Sequence, residues 1–278
     1  MDLFGSMRGQ GNEGGDKMFE PKVIYPEKQP KVELYHDNLQ NYKRYNIPPA
    51  QLVIADIPYN IGKNAYGSSL EWYVDGDRTK GESSKAGKSF FNTDENFNIA
   101  EFFHFANKLI KKEPKEKGQA GAMIVFCAFQ QMQMVIEYGK KHGFNNSYPL
   151  IFTKKSSSQV LKANMKIVGA CEYAVVLYRD KLPKFNNDGQ MVLNHMPWIV
   201  DNSVPKIHPT QKPIPVLKRL IEIFTDKGDV VIDPCAGSGS TLKAAAEMGR
   251  HAYGFEVYKE FYDKAKSEML TTFETSLF

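Results

Sequence analysis

Four consecutive residues, Asp56-Ile57-Pro58-Tyr59, place a carboxylate, a turn-forming proline and an aromatic ring at the end of the apolar run Gln51-Leu52-Val53-Ile54-Ala55. The chemistry open to such a set is the handling of an amine attached to a ring. That nitrogen is a poor nucleophile because its lone pair is delocalised into the ring. The Asp56 carboxylate and the Ile57 backbone carbonyl, both accepting hydrogen bonds from the NH2, would hold it pyramidal and release the lone pair for in-line attack on an activated methyl group. Tyr59 offers a face on which a base extruded from a duplex can stack. Taken alone, D-x-P-Y also serves as a plain strand-ending turn.

A second set lies far downstream, in Asp233-Pro234-Cys235-Ala236-Gly237-Ser238-Gly239-Ser240-Thr241. Gly237 and Gly239 would let a ligand approach the backbone and meet a helix N-terminus. Glu256 ends the next apolar run, where an acid can bind ribose hydroxyls. A dinucleotide dehydrogenase shares this geometry, but position 242 is Leu, so no third glycine completes G-x-G-x-x-G.

These residues need elements to carry them. Val32 to Tyr35 alternates as a strand, Asp37-Asn38 caps a helix from Leu39 to Tyr45, and Gln51 to Ala55 is a buried strand, so the chain opens as strand, helix, strand. Periodicity predicts an amphipathic helix from Ile99 to Lys111, a buried strand from Ala122 to Cys127, a helix from Gln130 to His142 stopped by Gly143, and strands at Tyr148–Phe152 and Ala174–Tyr178. Further on, Pro213-Ile214-Pro215 starts a helix running to Phe224. Strand Val230–Ile232, the glycine turn, helix Ser240–Met248, strand Ala252–Glu256 and helix Lys259–Met269 then form a mononucleotide-binding half.

Two stretches are irregular. Residues 60–98 are rich in Gly, Ser, Lys and Asp with interspersed aromatics, and leave directly from the Asp-Ile-Pro-Tyr turn, which suits a lid or a nucleic-acid-binding loop, with a plain insertion as the alternative. Residues 154–205 contain Ser156-Ser157-Ser158 and a basic stretch, with seven Lys and Arg against Glu172 and Asp180 between Ile151 and Phe185. This is the charge footprint of a surface that meets phosphates, although a solvated surface looks the same. Lys154, Lys155, Lys162 and Lys166 are the candidate phosphate contacts. Residues 1–20 read as a disordered tail.

The 278 residues suffice for one large domain, and the net charge of +4 is only mildly basic. No apolar run reaches the length of a membrane span, and the polar N-terminus lacks a signal-peptide core, so the expected location is the cytoplasm. Cys127, Cys171 and Cys235 are odd in number and sit in apolar stretches, which argues for a reducing compartment, and the scattered histidines argue against a metal site.

With the two motifs in this order, and with His208-Pro209-Thr210-Gln211-Lys212-Pro213 just before the cofactor strand, the chain resembles the DNA amino-methyltransferases whose catalytic tetrapeptide precedes the cofactor turn. The resemblance runs from about Val32 to Met269. It implies a Rossmann-like α/β fold, circularly permuted, with a mixed, mostly parallel seven-stranded sheet. Residues 21–278 would form a single methyltransferase domain, with an inserted loop at 60–98 and a target-recognition region at 154–205.

By the same resemblance the cofactor is S-adenosylmethionine. Asp233 and Gly237 would lie near its amino-acid part, Glu256 at its ribose and Asp37 near its adenine. Gly239 would lie in the same turn, and His208, Thr210 and Lys212 beside the methionine end. The family usually has Pro at the position of Ile57 and Phe at that of Cys235, which can touch the cofactor adenine. Asp rather than Ser at the head of the tetrapeptide points to adenine N6 as target, with cytosine N4 as the alternative and a catalytically inactive DNA-binding protein of the same fold as a third reading. The expected partner is DNA, and a homodimer is left open.

Overall fold

The computed structural model describes residues 29–58, 97–155, 160–162, 167–208 and 210–273. Its centre is an eight-stranded sheet built from β1 (Val32–Tyr35), β2 (Leu52–Asp56), β3 (Ala122–Phe126), β4 (Asn146–Thr153), β7 (Cys171–Tyr178), β8 (His195–Pro197), β9 (Val230–Asp233) and β10 (His251–Phe255). The spatial order is β1-β10-β9-β2-β3-β7-β4-β8. Only β7 runs against its neighbours; every other pairing is parallel. This is the expected mixed α/β sheet with one strand more, because β8 extends the far edge beside β4. A separate hairpin pairs β5 (Val160–Lys162) with β6 (Ile167–Val168).

The parallel strands are joined by helices, as parallel pairing requires. The α1 helix (Ile99–Leu109) connects β2 to β3, and α4 (Ser240–Glu247) connects β9 to β10. The remaining helices are α2 (Met132–Lys141), α3 (Ile214–Phe224) and α5 (Lys259–Lys264), which passes into a π-helical turn, Ala265–Met269.

Alternation within the strands divides the core into two layers. Leu52, Ile54, Ile124 and Val231 face α3, α4 and the residues after α5. Val53, Ala55, Val125 and Ile232 face α1 and α2, where Phe102, Phe103 and Phe105 are fully buried. Helix α1 begins where the Asn98 side chain accepts the amide protons of Ala100 (2.9 Å) and Glu101 (3.3 Å), a capped start that replaces two missing intrahelical partners. Among the described residues no helix is long and apolar enough to cross a membrane.

From β9 the chain winds outward through α4 to β10, and from β2 it winds the other way through α1 to β3. The strand order therefore reverses between β9 and β2. A crevice opens at the carboxyl ends of strands where connections diverge in this way, and ligands bind there in sheets of this kind.

Candidate active site

Strand β2 ends at Asp56 and its neighbour β9 ends at Asp233, so two carboxylates from opposite ends of the chain flank the point where the connections diverge. Glu256 follows β10, one strand over.

The glycine turn is shaped by its hydrogen bonds. Asp233 Oδ1 accepts the amide proton of Cys235 at 3.0 Å, which closes the turn and leaves Cys235 half-buried within it. Gly237 (φ +51°) and Gly239 (φ +75°) are left-handed, a conformation that strains residues with a Cβ. Gly239 is the N-cap of α4. The amide of Gly237 donates to Glu256 Oε2 at 2.8 Å, and Glu256 Oε1 accepts from the Tyr258 amide at 2.7 Å. With a third backbone hydrogen bond from Val257, the carboxylate still has acceptor capacity left for a ligand hydroxyl. Burial drives the Asp233 carboxyl up to about 7 despite its hydrogen bonds, with Asp56 and Glu256 adding repulsion. Burial also raises Glu256, against three backbone hydrogen bonds that favour its charge.

The hexapeptide starting at His208 spans both motifs. The His208 ring lies 3.6 Å from where a Cβ on Gly237 would sit, and meets Phe261 edge-on with centroids 4.4 Å apart. Burial, with Lys212 assisting, lowers this imidazole to about 4, so it is neutral at physiological pH. Its Nδ1 lies 3.3 Å from the Thr210 amide nitrogen and 3.1 Å from the exposed Thr210 hydroxyl oxygen. Four residues beyond His208, the ammonium of Lys212 donates to Asp56 Oδ2 at 2.5 Å. The other oxygen, Asp56 Oδ1, is buried and has no hydrogen-bond partner among the described residues. Burial raises the Asp56 carboxyl, Lys212 opposes that rise, and Glu172 adds to it.

Residues 50–267 match the family of DNA methylases with N6 or N4 amine targets. The chain belongs to that family. Among curated relatives, the putative methylase YubD of Escherichia coli (strain K12) is 30% identical over half of this chain and 58% of its own length. The DNA adenine methyltransferase YhdJ of the same strain is 25% identical over 83% of this chain and 80% of its own. Solved structures share the fold. The complex of M1.HpyAVI with SAM superposes with a TM-score of 0.62 at 20% identity, covering 86% of this chain and 98% of that one. The cytosine-N4-specific PvuII DNA methyltransferase superposes at 0.61 with 15% identity, covering 86% and 88%.

A cofactor cleft of this DNA methylase would have side-chain-free floors at Gly237 and Gly239, acids at two strand ends and the start of α4. This donor set suits a ligand carrying a ribose and an amino-acid zwitterion, as S-adenosylmethionine does. Asp37 lies just past β1, on the same edge as Glu256, whose amide donates to Tyr35 O at 3.0 Å. Its carboxylate accepts from the amide of Asn38 (2.7 Å), the Asn41 side chain (2.6 Å) and the Tyr45 hydroxyl (2.8 Å). Burial would raise this group, yet these bonds hold it below the ordinary value. Asp37 therefore also ties down the short 3-10 helix Leu39–Arg44.

The tetrapeptide is anchored from a residue that the sequence did not single out. Gln131 accepts the amide proton of Ala128 at 3.0 Å and donates its own amide to the Pro58 carbonyl at 2.9 Å. Ile57 is buried and its amide donates to Phe126 O at 3.2 Å. No short motif marks Gln131; its role exists only once β2 and β3 lie side by side.

The candidate DNA lysines separate into two kinds. Lys154 is paired with Glu172 at 2.5 Å and sits 5.3 Å from the centroid of the Trp198 ring, so its charge is committed within the protein. Lys155 is exposed. Tyr59 and Lys166 lie outside the described residues, as do the side chain of Lys162, nearly all of the 60–98 insertion and the 1–20 segment.

Proposed function

We propose that this DNA methylase transfers a methyl group to the N6 amine of adenine within a specific DNA sequence. The methyl donor is S-adenosylmethionine, which supplies a methyl carbon activated by its sulfonium. Asp56 Oδ1 accepts one N–H of the target amine and the Ile57 carbonyl accepts the other, which rehybridises the nitrogen toward a nucleophile. The carboxylate would offset the positive charge that develops on nitrogen as the N–C bond forms and the methyl–sulfur bond breaks, leaving S-adenosylhomocysteine as the neutral thioether, and the extra amine proton would pass to solvent. Gln131, by holding the Pro58 carbonyl, keeps the turn in the conformation this requires.

The observation that carries the reading is the buried Oδ1 of Asp56, without a hydrogen-bond partner among the described residues, at the point where the strand order reverses. Buried carboxylate oxygens are nearly always satisfied, and an exception at a crevice is accounted for by a ligand that supplies the donor. Adenine is favoured over cytosine by Asp at the head of the tetrapeptide and by the kinship with an adenine methyltransferase over most of the chain. Tyr59 supplies a stacking face for the extruded base, by the reading of its sequence position. The test is sequencing of DNA from cells expressing the protein, with detection of modified bases. The result expected is N6-methyladenine in one recurring sequence context; N4-methylcytosine, or unmodified DNA, overturns the proposal.

A further inference from the structure

We propose that Lys212 is a positioning residue for methyl transfer, holding Oδ2 of Asp56 so that Oδ1 alone is presented to the target amine. The inference rests on the methyltransferase reading above and goes beyond a cofactor contact for the His208–Lys212 segment.

The geometry divides the labour of one carboxylate between two donors. The Lys212 ammonium takes Oδ2 at 2.5 Å from a residue 156 positions away, and among the described residues none donates to Oδ1. Lys212 is only 7% exposed. A lysine that deep is held there by specific partners, because an unpaired buried ammonium is strongly unfavourable. Its Nζ lies 5.3 Å from the centroid of the Phe126 ring. Phe126 is the register partner of Asp56 across β2 and β3, and its ring stacks on Phe152 at 5.3 Å. The ammonium therefore sits between a fixed ring face and the carboxylate.

The backbone that delivers it is also tied. The Gln211 side chain donates to Pro205 O at 3.0 Å and accepts from the Ile207 amide at 3.0 Å, and Pro213 follows as the N-cap of α3. The lysine is thus delivered from a pinned loop at the start of a helix.

The charge matters as well as the position. Asp56 can offset charge developing on the amine only while ionised, and the other titratable groups around it oppose ionisation or stay neutral. Glu172 at the start of β7 and Asp233 at the end of β9 are acidic, and the buried Cys127 thiol, just past β3, is pushed up to about 12. Among the described residues, Lys212 is the cation paired with Asp56. Activity falls as pH drops through the carboxyl's titration, so removing Lys212 moves that acid limb to higher pH.

The test measures single-turnover methylation of DNA against pH for the wild type and for Lys212→Met, Lys212→Gln and Lys212→Arg. Cofactor affinity is measured in parallel by calorimetry. The neutral variants should lose at least about tenfold in rate at neutral pH and shift the acid limb upward by about one unit, since one unit corresponds to a tenfold change in ionised fraction below the limb. Lys212→Arg should restore the limb, and cofactor affinity should stay within about threefold throughout. An unmoved acid limb in an active neutral variant overturns the proposal. So does loss of cofactor binding in both neutral variants, which would assign Lys212 to the cofactor. If the wild type itself methylates no DNA, the functional reading fails instead.

Discussion

In the proposed mechanism Asp56 has to remain ionised where burial opposes its charge, and the conflict would be resolved by one lysine and one incoming amine. Replacing it with Ala removes the acceptor and leaves the glycine turn untouched. Methyl transfer by Asp56→Ala should fall by about 100-fold or more, the scale on which removal of one electrostatic contact acts, while cofactor binding persists. Near-normal turnover would remove Asp56 from the chemistry. Tyr59 is expected to contribute its ring and not its hydroxyl. Stacking returns about 1–3 kcal/mol per base, close to the cost of extrusion. Tyr59→Phe should keep most activity and Tyr59→Ala should lose much of it, with the Ala defect shrinking when the target adenine is mismatched; equal defects for Phe and Ala would contradict stacking.

Asp233 illustrates the opposite case, a group whose folded-state value, about 7, lies above its unfolded value of 3.8. Its contribution to stability is present below about pH 4 and is lost as pH rises through 7, so at pH 8 the ionised form destabilises the cofactor-free protein. Asp233→Asn cannot titrate. Its melting temperature relative to wild type should therefore climb by a few degrees between pH 5 and pH 8, while its cofactor affinity drops. Parallel melting curves across that range would contradict the assignment.

At the scale of elements, the site is a product of where two strands stop. Asp56 and Asp233 sit at the ends of β2 and β9, and both strands were legible as short apolar runs followed by turn residues, as were α3 and the β9-α4-β10 unit. What escaped detection had no period to detect. Strand β8 is the three residues His195-Met196-Pro197, and β5 and β6 have three and two residues, too short for alternation to register. The Leu39–Arg44 helix was placed correctly but is 3-10, and the helix after β10 turns π-helical at Ala265, both being hydrogen-bonding choices that residue spacing does not reveal. The motifs were legible from their combination and order along the chain, since each taken alone is an ordinary strand-ending turn. Gln131 was not, since a glutamine before a helix is unremarkable until its partner Pro58 is in place. Gln131→Leu should accordingly lower the methylation rate by about tenfold, the worth of roughly one hydrogen bond to a half-buried carbonyl, with little change in cofactor affinity. Equal losses in rate and cofactor binding would mean that Gln131 supports the whole edge and not the tetrapeptide.

At the scale of the whole molecule, a mildly basic protein that works on DNA must concentrate charge where phosphates pass. The sequence placed that charge in the 154–205 region without distinguishing paired lysines from solvated ones. Lys154 is committed to Glu172 and packed over Trp198, whereas Lys155 is exposed. Lys155→Ala should weaken DNA binding across sequences and flatten the log-log salt dependence by about one unit, while Lys154→Ala should leave the slope unchanged. Identical slopes for both variants would place neither or both on the phosphates.

The most direct test of the central claim, that this edge of the sheet presents Asp56 to the N6 amine of adenine, is nucleoside analysis of DNA incubated with purified protein and S-adenosylmethionine. N6-methyl-2′-deoxyadenosine should appear with wild-type protein and be absent with Asp56→Ala that still binds the cofactor. N4-methyl-2′-deoxycytidine in its place, or N6-methyl-2′-deoxyadenosine formed equally by the Asp56→Ala variant, would contradict the account.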